Sequence, residues 1–77
     1  MASGPDAMRD FLEKTLQSEC VVELNTGSEI RGILCTVDGL FNVVLKGAKE
    51  FNQKGELINE FPSIFIRGNF VLQISRP

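Results

Sequence analysis

Apolar residues change their spacing once along this chain, near residue 18, and the change separates one helical stretch from a longer run of strands. Met8, Phe11, Leu12, Thr15 and Leu16 recur at helical intervals, Pro5 suits a first helical position, and Asp6 and Asp10 complement the positive end of a helix dipole. The pattern predicts a helix over about residues 6–17. Beyond it the period falls to two. Residues 20–24 set Val22 and Leu24 against Val21 and Glu23, and the polar turn 25–28 leads to a second strand from Ile30. Gly32 inside that strand predicts a bulge or bend, after which Ile33, Leu34, Cys35 and Val37 keep no single parity. Residues 36–43 form a tight corner, with Gly39 expected to supply a permissive backbone angle and Asp38 to cap the turn. A third strand then leaves with Phe41 inward and Asn42 facing off the core. A polar stretch, 49–55, separates it from a fourth strand at 57–66, in which Pro62 belongs at a sheet edge because proline cannot donate to a ladder. Arg67, Gly68 and Asn69 turn the chain into a short fifth strand, 70–74. No internal repeat or low-complexity segment is evident. The fold class is mainly β: a leading helix followed by a strongly bent five-stranded antiparallel sheet, closed as a small open barrel of SH3-like or OB type.

Composition narrows what such a barrel does. At 77 residues its core is marginal, which favours association with other chains. The apolar fourth strand, with Phe61, Ile64 and Phe65, is an aggregation hazard unless another chain covers its edge. Two cysteines, Cys20 and Cys35, stand in apolar runs without metal-ligand spacing, and the chain has no histidine, so they are read as reduced buried thiols with no metal and no cofactor. No apolar run reaches membrane-spanning length, and the first residues lack a signal-peptide layout, so a soluble, non-secreted protein without a membrane partner is expected. A net charge of −2, with acids and bases interspersed, argues against a general grip on duplex phosphate. Any nucleic-acid contact must be local.

The spaced positions Val22, Leu24, Gly27, Ile30, Gly32, Leu34, Val37, Asp38, Phe41, Asn42, Val43 and Leu45, followed downstream by Ile64-Phe65-Ile66-Arg67-Gly68-Asn69-x-Val71, resemble the two motifs of the Sm and Sm-like (LSm) family. With the leading helix, the resemblance spans nearly the whole chain. Within the family, 38–42, the lysine-to-glycine loop and 65–72 are spelled most like the LSm-six branch and its cousin Sm F. The resemblance implies the Sm fold over residues 6–77, after a disordered N-terminus at 1–5. It implies a ring in which the fourth strand of one subunit pairs with the fifth of the next, here through Phe61, Ile64, Phe65, Phe70 and Leu72. Other Sm-like subunits are the implied partners, in a heteroheptamer, with self-association in isolation left open.

It also implies that the two turns line the ring's central hole and hold uridine-rich single-stranded RNA. Leu40, Asn42, Arg67, Gly68 and Asn69 are then the RNA-binding positions, with Asp38 and Gly39 supporting the first turn. Asn42 carries a donor and an acceptor that match the uracil edge, and Arg67 can stack its guanidinium on a base and reach a phosphate. Asn69 would brace Asn42 or reach the base; many relatives carry an acid there. At the Leu40 position relatives commonly have an aromatic ring or histidine, whereas leucine offers no π-face. The branch implies two settings, a nuclear ring on the 3′ end of a spliceosomal RNA and a cytoplasmic one in mRNA decay.

Other classes fit less well. Peptide recognition of SH3 type calls for an aromatic-lined groove, and the chain has no Trp or Tyr. Enzyme chemistry and a small-molecule substrate lack a histidine, an activated nucleophile or a metal cluster to work with. The remaining rival is a subunit that closes the ring without holding RNA.

Overall fold

The computed structural model describes residues 17–77; the expected disordered segment 1–5 and the helix expected at 6–17, apart from Gln17, lie outside the described residues. Five strands follow: β1 (Glu19–Leu24), β2 (Glu29–Val37), β3 (Val43–Phe51), β4 (Leu57–Ile66) and β5 (Val71–Ser75). A single 3-10 turn, Gly68–Phe70, joins the last two. All pairings are antiparallel, in the order β4-β3-β2-β1-β5. β4 and β5 are therefore the two edges. Pro62 sits on the edge strand β4; the ladder steps from Lys46↔Ser63 to Ala48↔Phe61 without changing register, so the missing donor costs no pairing elsewhere.

Alternation builds the core. Val22, Ile30, Leu34, Val43, Leu45, Ala48 and Ile66 are buried together with Cys20, and Phe61, Ile64, Val71 and Ile74 pack against them half-buried. β1 is buried at three successive residues, Cys20, Val21 and Val22, so it is covered on both faces there. Burial pushes the Cys20 thiol up to about 11, with Glu19 adding to the effect, so it is protonated and inert at neutral pH. Both described cysteines are free.

The sheet bends through two bulges between β2 and β3, and their positions correct the sequence reading. Parity in β2 survives Gly32: Ile30, Gly32 and Leu34 all face inward. Opposite Gly32 the partner strand carries the extra residue, since Arg31 pairs Lys49 while Ile33 pairs Lys46, leaving Gly47 and Ala48 facing one residue. Gly47 has φ +57, the left-handed angle of a glycine bulge. A Cβ on Gly32 would lie 2.9 Å from the Lys46 carbonyl oxygen, so glycine there permits the close crossing. β2 loses parity later, at Cys35, the extra residue between Leu34↔Leu45 and Thr36↔Val44. Strand boundaries also move. β3 starts at Val43 and runs to Phe51, which shortens the polar loop to 52–56, and β5 starts at Val71, leaving Phe70 in the 3-10 turn.

Leu34 is fully buried at the centre of this arrangement. Leu34→Ala should lower unfolding free energy by about 2–5 kcal/mol, read as a fall in the urea midpoint at unchanged slope.

Candidate nucleic-acid interface

All three hairpins of the described chain are closed by the same five-residue loop. In each, the first residue donates its N–H to the carbonyl of the fifth, and the fourth donates back to the first: Leu24–Ser28 and Gly27–Leu24, Asp38–Asn42 and Phe41–Asp38, Asn52–Glu56 and Gly55–Asn52. The fourth residue is left-handed every time, with Gly27 at φ 95, Phe41 at φ 61 and Gly55 at φ 82. This is a type I turn continued by a left-handed residue, a common three-residue hairpin connection. The last two loops add one further device: a side-chain oxygen of the first residue accepts two backbone N–H groups. Asp38 Oδ1 takes those of Leu40 at 2.8 Å and Asn42 at 3.0 Å, and Asn52 Oδ1 takes those of Lys54 at 2.9 Å and Glu56 at 3.0 Å.

The middle loop departs from its siblings by placing phenylalanine where they have glycine. A bulky residue in the left-handed region costs about 1–3 kcal/mol and persists when its surroundings hold it. Phe41, not Gly39, is thus the residue with the special backbone angle; Gly39 lies outside the left-handed region and a Cβ on it would meet open space. Phe41 also precedes β3 instead of opening it, with its side chain half-buried.

Two turns 26 residues apart meet at Asn42. Its Oδ1 accepts the Gly68 backbone N–H at 2.7 Å, and its Nδ2 donates to Asp38 Oδ2 at 2.9 Å. The Gly68 backbone lies directly on the first turn, so that a Cβ there would overlap the Leu40 carbonyl oxygen and crowd Phe41. The brace on Asn42 is the Gly68 amide; of the two roles expected for Asn69, bracing Asn42 or reaching the base, the first is taken by Gly68. Asn69 is instead held from behind: its carbonyl accepts Asn25 Nδ2 at 3.1 Å, and the neighbouring Phe70 carbonyl accepts the Asn25 N–H at 2.8 Å. Asn25 escaped the sequence reading, which treated it as an ordinary turn residue. The side-chain donation from Asn42, then the backbone N–H groups of Asn42 and Leu40, hold the exposed Asp38 carboxyl below the usual carboxylate range.

The rim that results presents Leu40, 77% exposed, beside the exposed side chains of Arg67 and Asn69. Asn42 has committed one lone pair and one amide hydrogen, so one of each remains. Of the edge residues, Phe65 (60% exposed), Phe70 and Leu72 stand in solvent, whereas Phe61 and Ile64 are half-buried against their own core. Among the described residues there is no cluster of three or more His, Cys, Asp or Glu that could hold a metal ion.

The LSM domain family profile matches residues 10–76. The chain belongs to the Sm-like (LSm) family. Among its relatives, Sm-like protein LSM36B of Arabidopsis thaliana is 41% identical over 66 residues, covering 86% of this chain and 71% of the relative. The U6 snRNA-associated Sm-like protein LSm6 of Debaryomyces hansenii is 42% identical over 73 residues, covering 95% and 81%. LSM complex subunit lsm6 of Schizosaccharomyces pombe is 35% identical over 75 residues, covering 97% and 95%. The last two names agree with the branch of the family suggested by the sequence. Among solved structures, the Pyrococcus abyssii Sm protein in complex with a uridine heptamer superposes with a TM-score of 0.84 at 36% identity, covering 95% of this chain and 97% of that one. A heptameric archaeal Sm protein gives 0.80 at 31% identity, covering 88% and 97%. The five-stranded bent sheet of this LSm chain is the Sm fold.

Two outcomes follow from the rim geometry. Gly68→Ala should destabilise by about 1–3 kcal/mol because backbone must move, while Gly39→Ala in the facing turn should stay within about 0.5 kcal/mol, both by urea denaturation. Since the folded Asp38 pKa is depressed, its stabilising contribution is fully present above the ordinary aspartate value of about 3.9 and is lost as pH falls through the lowered one. The protection of the Leu40 and Asn42 amides, taken against the intrinsic exchange rate at each pH, should fall over that acid window, and Asp38→Asn should flatten the response.

Proposed function

We propose that this LSm chain is a subunit of a ring that holds uridine-rich single-stranded RNA at its centre. The Asn42–Gly68 hydrogen bond carries the proposal, because it fixes two sequence-distant turns as one rigid rim and leaves Asn42 one donor and one acceptor. Uracil presents an imide N–H between two carbonyls, so Asn42 Oδ1 accepts that N–H while Nδ2 donates to a carbonyl, a pairing that cytosine cannot reproduce. Arg67 stacks on the base face and reaches toward phosphate, Gly68 admits the close approach, and Leu40 and Asn69 flank the base. Asp38 holds the loop and does not touch RNA; Gly39 supports the same turn.

Ring formation is supported by the two unpaired edges, β4 and β5. In this reading β4 of one subunit adds to β5 of the next, with Phe61, Ile64, Phe65, Phe70 and Leu72 along the seam, and the neighbours are other LSm subunits in a heteroheptamer. The LSm6-type relatives, one named U6 snRNA-associated, support a place on a small nuclear RNA in splicing, and hence in the nucleus. Service in mRNA decay in the cytoplasm extends the same reading, since both need a ring that grips a uridine-rich 3′ end.

Leu40 favours a second reading, in which the subunit closes the ring and holds no base. Stacking on an aromatic ring contributes about 1–3 kcal/mol per base, and leucine lacks the π-face. Titrating uridine oligomer into assembled rings, with integrity checked by gel filtration, separates the two. In the RNA-holding reading Leu40→Tyr tightens binding by up to about 1–3 kcal/mol and Asn42→Ala weakens it. If neither change moves the affinity of intact rings, the subunit is a spacer. A duplex of equal length at the same salt should bind far more weakly than the single strand.

A further inference from the structure

The turn that carries Arg67 and Asn69 has little of its own to hold it in place. Its 3-10 segment is three residues long and contains no buried residue, and Arg67 at its N-cap makes no side-chain capping bond. Hydrogen bonds in such segments have poor geometry, so position must come from outside contacts. Asn42 supplies one at the start of the turn, and Asn25 supplies two at its end. The backbone N–H of Asn25 reaches the Phe70 carbonyl and would survive any side-chain change. The bond from Asn25 Nδ2 to the Asn69 carbonyl would not.

That side-chain bond opens a row of hydrogen bonds that crosses both turns. Asn25 Nδ2 donates to the Asn69 carbonyl at 3.1 Å, and the N–H of the same peptide, that of Phe70, donates to the Arg67 carbonyl at 3.0 Å. The Arg67 carbonyl shares its peptide with the Gly68 N–H, which donates to Asn42 Oδ1 at 2.7 Å, and Asn42 Nδ2 donates in turn to Asp38 Oδ2 at 2.9 Å. Every donor points the same way, and the row ends on a carboxylate. Amides that accept at oxygen while donating at nitrogen polarise one another, so each bond in the row strengthens the next. We infer that Asn25 is a positioning residue for base recognition: through the Asn69–Phe70 and Arg67–Gly68 peptides it orders and polarises the Asn42 amide, without touching RNA. The inference rests on the RNA-holding reading above and extends its site to a third loop.

The loop that carries Asn25 is itself moored. Thr26 Oγ1 and Ser28 Oγ lie 3.2 Å apart, Ser28 Oγ donates to Glu50 Oε2 on β3 at 2.9 Å, and the Gln53 side chain rests against Gly27. Without the Asn25 side-chain donor, the Asn69–Phe70 peptide is freed to rotate, the Phe70 N–H leaves the Arg67 carbonyl with it, and Gly68 holds Asn42 less firmly. Asn42 Oδ1 also becomes a weaker acceptor. The imide N–H of uracil then gains less from it, and cytosine, which presents a lone pair at that ring position, is repelled less. Loss of the donor therefore costs discrimination between the two bases as well as affinity.

Rings assembled with Asn25→Ala, Asn25→Asp or Thr26→Ala in this subunit, titrated with uridine and cytidine oligomers and followed by hydrogen exchange at the Gly68 amide, test the inference. Uridine affinity should fall about two- to tenfold in both Asn25 variants, with a smaller uridine-to-cytidine ratio and faster Gly68 exchange. Thr26→Ala, an exposed neighbour outside the row, should change none of the three. Asn25→Asp keeps the side chain's size but sets an acceptor against the Asn69 carbonyl, so Gly68 exchange should quicken more than in Asn25→Ala, the reverse of what a packing defect gives. The charge that aspartate adds lowers both affinities alike and leaves the ratio untouched. Where a variant does not enter the ring, Gly68 exchange in the unassembled full chain decides. An unchanged ratio, or unchanged Gly68 exchange, in both Asn25 variants overturns the inference; if Asn42→Ala still weakens uridine binding, the RNA-holding reading stands, and if Asn42→Ala is silent too, both fall.

Discussion

The hydrogen bond from the Gly68 N–H to Asn42 Oδ1 is the constraint on which the functional face of this protein depends. The buried residues of the hydrophobic core lie along the strands and none falls within either turn. What holds the turns together is a part-buried amide pair with little competing solvent, reinforced by backbone contact that only glycine at 68 permits. Asp38 orders the first turn from within, through three hydrogen bonds to one carboxylate, and Asn25 ties the second turn to the β1–β2 hairpin. Three loops from three parts of the sequence thus form one polar scaffold, and the side chains pointing outward from it inherit its rigidity.

Strand pattern made the sheet legible in advance, since alternation of apolar residues in β1 and β2 follows directly from half-burial. The family motifs added the turn residues, because Asp38, Asn42 and Gly68 are constrained by a shared geometry. Several particulars stayed out of reach. Gly47 is the left-handed residue of a bulge inside β3, a role its sequence context does not mark, and β3 was expected to stop short because residues 49–55 read as a polar loop. Gly39 attracted a role that belongs to Phe41, because the rule that assigns special backbone angles to glycine ignores where in the turn the angle falls. Asn25 acts through its side chain on a carbonyl 44 residues away, and a single sequence carries no mark of that distance.

The loops also hold a regularity that residue identity conceals. The three left-handed positions, 27, 41 and 55, fall at intervals of fourteen residues, as do the loops themselves. The repeat is one of geometry, without repeated sequence. Glycine occupies it in two of the three loops. At the rim the same angle is held by phenylalanine, so conformational ease has been exchanged there for an aromatic side chain, the kind of local inconsistency expected where function and stability compete.

The order of strands has a geometric consequence of its own. Because the unpaired edges belong to two different strands, β4 on one side and β5 on the other, no two-fold axis can satisfy both at once. Joining unlike edges leaves the complementary pair still open on the product, so a dimer is as unfinished as a monomer, and each added chain defers the same debt. Growth of that kind ends when the rotation between successive copies returns the last edge to the first, and otherwise it does not end. The sharpness of the bend in the sheet, set by an extra Gly47 in one strand and an extra Cys35 in its neighbour, would then decide between a closed circle and a fibre.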